Sequence, residues 1–287
     1  MTSVNSCPAI TDKVVLITGG TGTFGQAFAK LILNYNPRAI RIFSRHELLQ
    51  VEMANAFPKD KLRFLIGDVR DKERLTLAAS GVHTIIHAAA LKQVPICEYN
   101  PIEAILTNAM GTVGVIQAAL ANEVERVLFI SSDKAVQPLN LYGATKLVAE
   151  KLMIQANAYS AGGPPKFSAV RYGNVAASRG SLIPMLQSSK HPQLTDPRMT
   201  RFWLTIEQGV NFVLNCVNGM VGGEIYIPKL PSFRGIDLIN AVCPEVYPEI
   251  IGIRPGEKLH EVLLTQEEAR HTREFASFFL IEPEYPY

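Results

Sequence analysis

The chain has 287 residues, with 28 lysines and arginines against 26 aspartates and glutamates, a formal charge of +2. So even a balance, without any Lys/Arg block, argues against nucleic acid or a membrane surface as partner. The length suffices for one large α/β domain with a smaller appended part. Cys7, Cys97, Cys216 and Cys243 have no C-x-x-C spacing, so neither a metal site nor a redox pair is expected, and the thiols read as reduced. Residues 1–13 lack the basic start and apolar core of a signal peptide. No apolar run approaches the roughly 18 residues needed to cross a bilayer. A soluble, cytoplasmic protein is therefore expected.

Residues 14–17, Val-Val-Leu-Ile, predict a short buried strand that runs into Thr-Gly-Gly-Thr-Gly-Thr-Phe-Gly and a helix over 24–33. Strand, glycine turn and helix in this order let backbone N–H groups approach a pyrophosphate at the helix N-terminus. Gly19, Thr21, Gly22, Thr23, Phe24 and Gly25 are accordingly candidate cofactor-binding residues. The second strand, over 40–43, ends in Ser44, Arg45 and His46. An NAD site would place an acid here for the ribose 2′-hydroxyl, whereas an arginine accommodates a 2′-phosphate, so NADP is expected rather than NAD. Glu47 reads as the start of the next helix. The third strand, over 62–66, leads to Asp68 and Val69, where Asp68 can accept from an adenine amine or equally serve as a helix N-cap.

The fourth strand and its exit, over 84–90, end in Ala88, Ala89 and Ala90, small enough for a close cofactor. His87 within the strand reads as a core histidine. Lys92, just past the strand, faces the same crevice. A long helix over 101–121 precedes the fifth strand at 127–130. Then follows Ser131-Ser132-Asp133-Lys134, a proline-containing loop, and a helix over 142–158. Tyr142 and Lys146 share a face of that helix, so the lysine can lower the tyrosine pKa towards that of a base. An exposed Tyr and Lys on an ordinary helix is the plain alternative. The sixth strand, over 167–171, exits into Tyr172-Gly173-Asn174-Val175.

Strands alternating with helices imply an α/β, doubly wound, Rossmann-like parallel sheet over residues 1–175. Residues 176–287 form a mixed part. There Ser178-Arg-Gly-Ser181, Leu194-Thr195-Asp196 and Arg198-Met-Thr-Arg201 are polar islands, and Arg254-Pro-Gly-Glu-Lys258 precedes a last helical stretch. Basic residues scattered over loops suit an anionic ligand such as a diphosphate.

These motifs resemble the extended short-chain dehydrogenase/reductase superfamily. Within it they resemble the inverting UDP-N-acetylglucosamine 4,6-dehydratases that begin pseudaminic acid synthesis. The likeness runs over 13–274, and its specific parts are 18–25, 88–95, 133–146, 171–180, 199–203 and 250–261. Retaining relatives usually replace the motif tyrosine, which this chain keeps as Tyr142. Ser132 stands where the family usually has threonine, the segment 181–195 is a few residues short, and the chain stops at Tyr287, before a segment that closes the pocket in relatives.

The resemblance implies a lyase that oxidises C4 of a UDP-sugar, eliminates water across C5 and C6, and reduces C6, with NADP as cofactor. It assigns the C4 hydroxyl proton to Tyr142 assisted by Lys146, which also holds the nicotinamide ribose. Asp133 becomes the acid for the departing hydroxyl and Lys134 the base at C5, returning the proton on the opposite face, with Ser132 beside them. That requires a Lys134 pKa well below its ordinary value, brought down by burial, the nicotinamide and Lys146, and an Asp133 pKa raised by burial. Lys92, Ser131, Asn174, Thr195, Arg201 and Arg254 are implied substrate contacts, and Val175 a further cofactor contact. Relatives dimerise through the helices at 101 and 142, so a homodimer or higher homo-oligomer is expected. Two other functions stay open: another nucleotide-sugar enzyme of this fold, such as a retaining dehydratase or a C4 or C5 epimerase, and a catalytically silent NADP-binding regulator.

Overall fold

A computed structural model describes residues 6–176, 186, 192–244 and 246–285. Its first five strands are β1 (Val14–Thr18), β2 (Ala39–Ser44), β3 (Leu62–Ile66), β4 (Thr84–His87) and β5 (Arg126–Ile130). They continue as β6 (Lys166–Val170), β7 (Asn174–Val175), β8 (Gln193–Leu194), β9 (Thr200–Leu204) and β10 (Ile225–Pro228). The last are β11 (Ser232–Arg234), β12 (Glu249–Ile250), β13 (Thr272–Glu274) and β14 (Phe278–Ile281). The helices are α1 (Thr23–Ile32), α2 (Glu47–Ala56), α3 (Lys72–Ala79), α4 (Val94–Tyr99), α5 (Pro101–Ala121), α6 (Leu141–Gln155), α7 (Ile206–Gly219) and α8 (Gly235–Val242).

Nine strands form one sheet in the order β13-β14-β10-β6-β5-β4-β1-β2-β3. Pairing is parallel from β3 through β10, with β14 and β13 added antiparallel at one edge. β1 has β2 on one side and β4 on the other, so the strand order reverses at β1. Crevices at the carboxyl ends of such a switch point hold ligands in open α/β sheets. Alternation along β1 sends Val15 and Ile17 into a core with Phe28 and Ile32 of α1 and Val213 of α7. Val14 and Leu16 point to the opposite core, with Leu75 of α3, Val115 of α5 and Met153 of α6. Each large apolar side chain so buried contributes about 1.5–3 kcal/mol.

Two expectations need correction. The chain after residue 258 does not end in a helical stretch: a single 3₁₀ turn, Glu268–His271, is followed by β13 and β14. These strands and β10 join the main sheet, while β7, β9 and β11 form one small sheet and β8 and β12 another. The second correction concerns apolar length. α5 spans 21 residues, and its most apolar 18 have a mean hydropathy of 1.5, long and apolar enough to cross a bilayer by length and composition alone. Here 61% of its most apolar window lies buried within the protein. Its middle, Ile105–Met110, is a π turn, a local widening of the helix common at functional sites.

Candidate active site

The glycine loop meets the steric demands of a dinucleotide cradle. Gly19 has φ +68°, and a Cβ there would lie 2.9 Å from the Cα of Ala89. A Cβ on Gly25 would lie 2.6 Å from Gly20, so only glycine lets α1 pack this tightly on the loop. Gly22 caps α1 without a side-chain hydrogen bond, and the first turn, which includes Thr23 and Phe24, carries no acid. An anion at this helix N-terminus therefore meets no opposing charge. Thr21 is buried, and its carbonyl accepts from Gln26 Nε2 at 2.8 Å. Ala88 and Ala89 are tied to Thr18 through its carbonyl and hydroxyl, and Ala90 follows them along the crevice.

At the end of β2, Ser44 is buried and accepts from Gln50 Nε2 at 3.0 Å, while Arg45 and His46 are exposed. Arg45 Nη1 lies 3.5 Å from Asp68 Oδ2, and Arg70 Nη2 holds the same oxygen at 2.7 Å. Burial works against ionisation of Asp68, but Arg70 and then Arg45 hold its carboxyl below the ordinary value. The N-cap reading of Asp68 fails: α3 is capped by Asp71, which accepts from the Arg74 amide at 2.9 Å. Val69 is buried against Gly111 of α5.

His87 is fully buried between the hydroxyls of Thr18, at 2.7 Å, and Thr112, at 3.0 Å. Burial, followed by the charge of Lys146, lowers its pKa to about 3, so the ring is neutral and structural. One residue the sequence reading passed over sits on the π turn. Asn108 is buried, accepts from the Leu91 amide at 2.8 Å, and donates to the Leu91 carbonyl and to Thr145 of α6 at 2.9 Å each. It fixes the segment before Lys92, which is exposed and has no ion-pair partner among the described residues. A buried amide inside an apolar helix was the available signal.

The centre of the site is the contact between the 3₁₀ turn Asp133–Ala135 and the start of α6. Asn140 caps α6 by accepting from the Gly143 amide at 2.8 Å. A Cβ on Gly143 would fall within 2.2 Å of the Lys134 carbonyl, so glycine alone allows the helix to reach the turn. This contact sets Lys134 beside Tyr142. Asp133 is 1% exposed, and its Oδ1 accepts from Ser132 Oγ at 2.8 Å and from Lys134 Nζ at 3.1 Å. Lys134 Nζ also reaches Asn174 Oδ1 and Glu261 Oε1, each at 3.5 Å. Ser131 is buried in the residue before.

The electrostatics differ from expectation at two groups. Lys134 does not sit below its ordinary value: burial pulls it down, but the charges of Asp133 and Glu261 prevail and raise it. Its amine is therefore an ammonium. Nor does Lys146 act on Tyr142 as supposed. Burial raises the Tyr142 phenol, and the opposing contributions come from Lys134 and the Ser132 hydroxyl. Lys146 donates to the Ile130 carbonyl and lies 4.0 Å from the Phe129 ring centroid. Burial brings its pKa to about 7 against the pull of Glu150, the next residue on its face of α6.

The structure gathers the remaining residues unevenly. Asn174 and Val175 form β7, and Asn174 meets Lys134 directly. Arg201 gives its guanidinium to the carbonyls of Thr200 and Leu259, at 2.8 and 3.2 Å. Asn140 Nδ2 donates to the Gly256 carbonyl at 2.8 Å, which fastens the loop bearing Arg254 to the start of α6. Thr195 Oγ1 donates to Met199 Sδ at 2.9 Å, and among the described residues no hydrogen bond ties its side chain to the central residues. The polar island at 178–181 and most of the shortened segment 181–195 lie outside the described residues. Glu261 was missed: it falls inside a quoted motif, yet its distance along the chain from Lys134 hid the pairing.

Residues 15–283 match the model of a family described as polysaccharide biosynthesis protein. The chain belongs to that family. It is 49% identical over 277 residues to a UDP-N-acetylglucosamine 4,6-dehydratase (inverting) of Campylobacter jejuni, covering 94% of this chain and 83% of that one. It is 39% identical over 283 residues to a UDP-glucose 4-epimerase of Rickettsia rickettsii, covering 94% and 83% respectively. The solved structure of Pen from Bacillus thuringiensis superposes with a TM-score of 0.93 at 38% identity, over 97% of this chain and 89% of that one. The α/β fold of nucleotide-sugar short-chain dehydrogenase/reductase enzymes expected from the sequence is thus found.

Proposed function

We propose that the protein is an inverting UDP-N-acetylglucosamine 4,6-dehydratase, of the kind that begins pseudaminic acid synthesis. The observation that carries this reading is the Asp133, Lys134 and Tyr142 cluster at the carboxyl end of β5, at the same end of the parallel sheet as the glycine loop after β1. An epimerase needs a proton acceptor for a hydroxyl, which Tyr142 with Lys146 would supply. A buried carboxyl hydrogen-bonded to an amine goes further, since elimination across C5 and C6 needs both an acid and a base.

Gly19, Thr21, Gly22, Thr23, Phe24 and Gly25 would hold the cofactor pyrophosphate, with Asp68 and Val69 at the adenine and Ala88, Ala89, Ala90 and Val175 along the crevice. When bound, the nicotinamide would supply the hydride chemistry that links C4 and C6 of the sugar. Tyr142 takes the C4 hydroxyl proton, and Lys146 orients the adjoining ribose. The C4 ketone acidifies C5, and Lys134 removes that proton once substrate has displaced water from its ammonium and lowered its pKa. Asp133 protonates the C6 hydroxyl, which leaves as water, and Lys134 returns a proton to C5 from the other face. Lys92, Ser131, Asn174, Thr195, Arg201 and Arg254 would bind the UDP-sugar, with residues 176–287 as the mainly substrate-binding part. Incubation with UDP-N-acetylglucosamine in deuterated water should give, by NMR, a 4-keto-6-deoxy sugar with deuterium at C5 and L configuration. Retention at C5, or a C4 epimer as product, would defeat the reading.

NADP is the proposed cofactor, because Arg45 follows β2 where no acid stands and its partner Asp68 is also held by Arg70. Arg45→Asp should weaken NADP by roughly 1.5–3 kcal/mol, the scale of a lost charged hydrogen bond, and shift preference towards NAD. Equal affinities of the native protein for both cofactors, by calorimetry, would contradict this.

The proposed assembly is at least a dimer. Ile96, Tyr99, Ile102, Ile105, Met110 and Val148 are exposed on α4, α5 and α6, and a second copy would cover this apolar face. Light scattering should show a dimer or larger at micromolar concentration, reduced towards monomer by Ile102→Asp; a native monomer would refute it.

A further inference from the structure

Four buried side-chain oxygens among the described residues have no hydrogen-bond partner, those of Thr107, Ser131, Asp133 and Glu261. Two of these are Asp133 Oδ2 and Glu261 Oε2, and the other oxygens of these same carboxylates share the Lys134 ammonium. A buried carboxylate left half-satisfied is costly and calls for a reason. Glu261 is 9% exposed and enters the site from the loop after Lys258, remote in sequence from β5. Its Oε1 lies 3.5 Å from Lys134 Nζ, and its Oε2 lies 3.6 Å from Lys258 Nζ. Lys258 spends its own hydrogen bond on the Val136 carbonyl, at 2.5 Å.

Taking the dehydratase reading as its basis, we infer that Glu261 is a positioning residue for Lys134, holding its amine in the crevice and setting the pH at which that amine becomes a base. The groups that face Lys134 are few. Asp133 stands on its own turn, Tyr142 on α6, the neutral Asn174 on β7, and Glu261 on the C-terminal loop with Lys258 behind it. Asp133 is occupied as the acid for the leaving hydroxyl and cannot stay a constant counter-ion through the reaction. Glu261 has no such duty, so its charge is a fixed restraint. Lys258, on its far side, offsets part of that charge.

The signs follow from Coulomb's law. A carboxylate next to an ammonium stabilises the charged form, so removing it makes Lys134 neutral at lower pH. Removing the Lys258 cation does the reverse. The step to watch is exchange of the C5 proton of the 4-keto-6-deoxy product in deuterated water, which isolates the amine from hydride transfer. In the native enzyme the exchange rate should rise with pH as the amine loses its proton. Glu261→Gln, nearly isosteric, should displace that rising limb to lower pH by about 1–3 units, the range for an opposite charge at this distance. Lys258→Met should displace it upward by a smaller amount, with cofactor binding near native.

A Glu261→Gln limb at the native position overturns the inference, even if the rate falls, because a purely structural role changes the plateau alone. Should Glu261→Gln not fold, an unmoved limb in Lys258→Met overturns it equally. A native protein that forms and exchanges no 4-keto sugar overturns the dehydratase reading and this inference with it. Native activity with unmoved limbs overturns the inference only.

Discussion

Lys134→Ala should slow dehydration of UDP-N-acetylglucosamine by about 10²–10⁴-fold, the usual cost of losing a general acid–base group. The loss should fall on the elimination rather than on binding. Lys134 Nζ touches Asp133, Asn174 and Glu261, and none of these belongs to the glycine loop or to the Lys146 contact with Ile130. Cofactor affinity, read by fluorescence titration, should therefore stay near native. Single-turnover absorbance should still show reduction of the cofactor, because Tyr142 and Lys146 remain to serve the C4 hydroxyl. Tyr142→Phe should differ in kind, blocking at that earlier reduction. A Lys134→Ala enzyme that dehydrates at close to the native rate would remove the base assignment.

Much of this machinery was legible in the sequence because it is local. The glycine loop announces itself by a strand before it and a helix after it, and β1, the loop and α1 lie where that pattern places them. The cluster at Asp133, Lys134 and Tyr142 was legible for the same reason: one turn and one helix start carry it, and Gly143 is the residue that lets them meet. What stayed hidden depends on contacts between distant segments. Glu261 reaches Lys134 across the chain, and that one carboxylate, with Asp133, reverses the expected direction of the Lys134 pKa. The i to i+4 spacing of Tyr142 and Lys146 was a true observation about a helix face. It could not disclose that Lys146 turns to the Ile130 carbonyl. The strands β13 and β14 are short, and the pairing of β14 with β10, and of β13 with β14, needed the assembled sheet edge to be seen.

Arg171→Met should lower stability by about 3–5 kcal/mol, the cost of leaving a buried charge without its partner. Arg171 follows β6 and is 1% exposed. Its guanidinium bonds Glu150 at 2.5 and 3.2 Å, Glu268 at 2.9 and 3.0 Å, and the Leu263 carbonyl at 2.9 Å. It therefore fastens the sheet, helix α6 and the C-terminal segment to one another. Glu150 is fully buried, so methionine in place of Arg171 strands a carboxylate in the core. For a domain of this size Tm should fall by roughly 6–20 °C.

Arg171→Lys should lose less, since it keeps the charge but not the fork of donors. The pH dependence gives an independent check. Burial opposes ionisation of Glu268, yet the Arg171 hydrogen bond and charge hold its carboxyl below the ordinary 4.5. A depressed carboxylate contributes stability above its unfolded pKa and loses it as pH falls through the folded value. The native protein should therefore lose its advantage over Arg171→Met progressively below about pH 4.5. Scanning calorimetry that finds the two proteins equally stable at neutral pH would dismiss the clasp. If it holds, the same clasp explains how Glu261, carried on a loop with little regular structure, is kept within reach of Lys134: Leu263 and Glu268, just beyond it, are tied to α6 through Arg171.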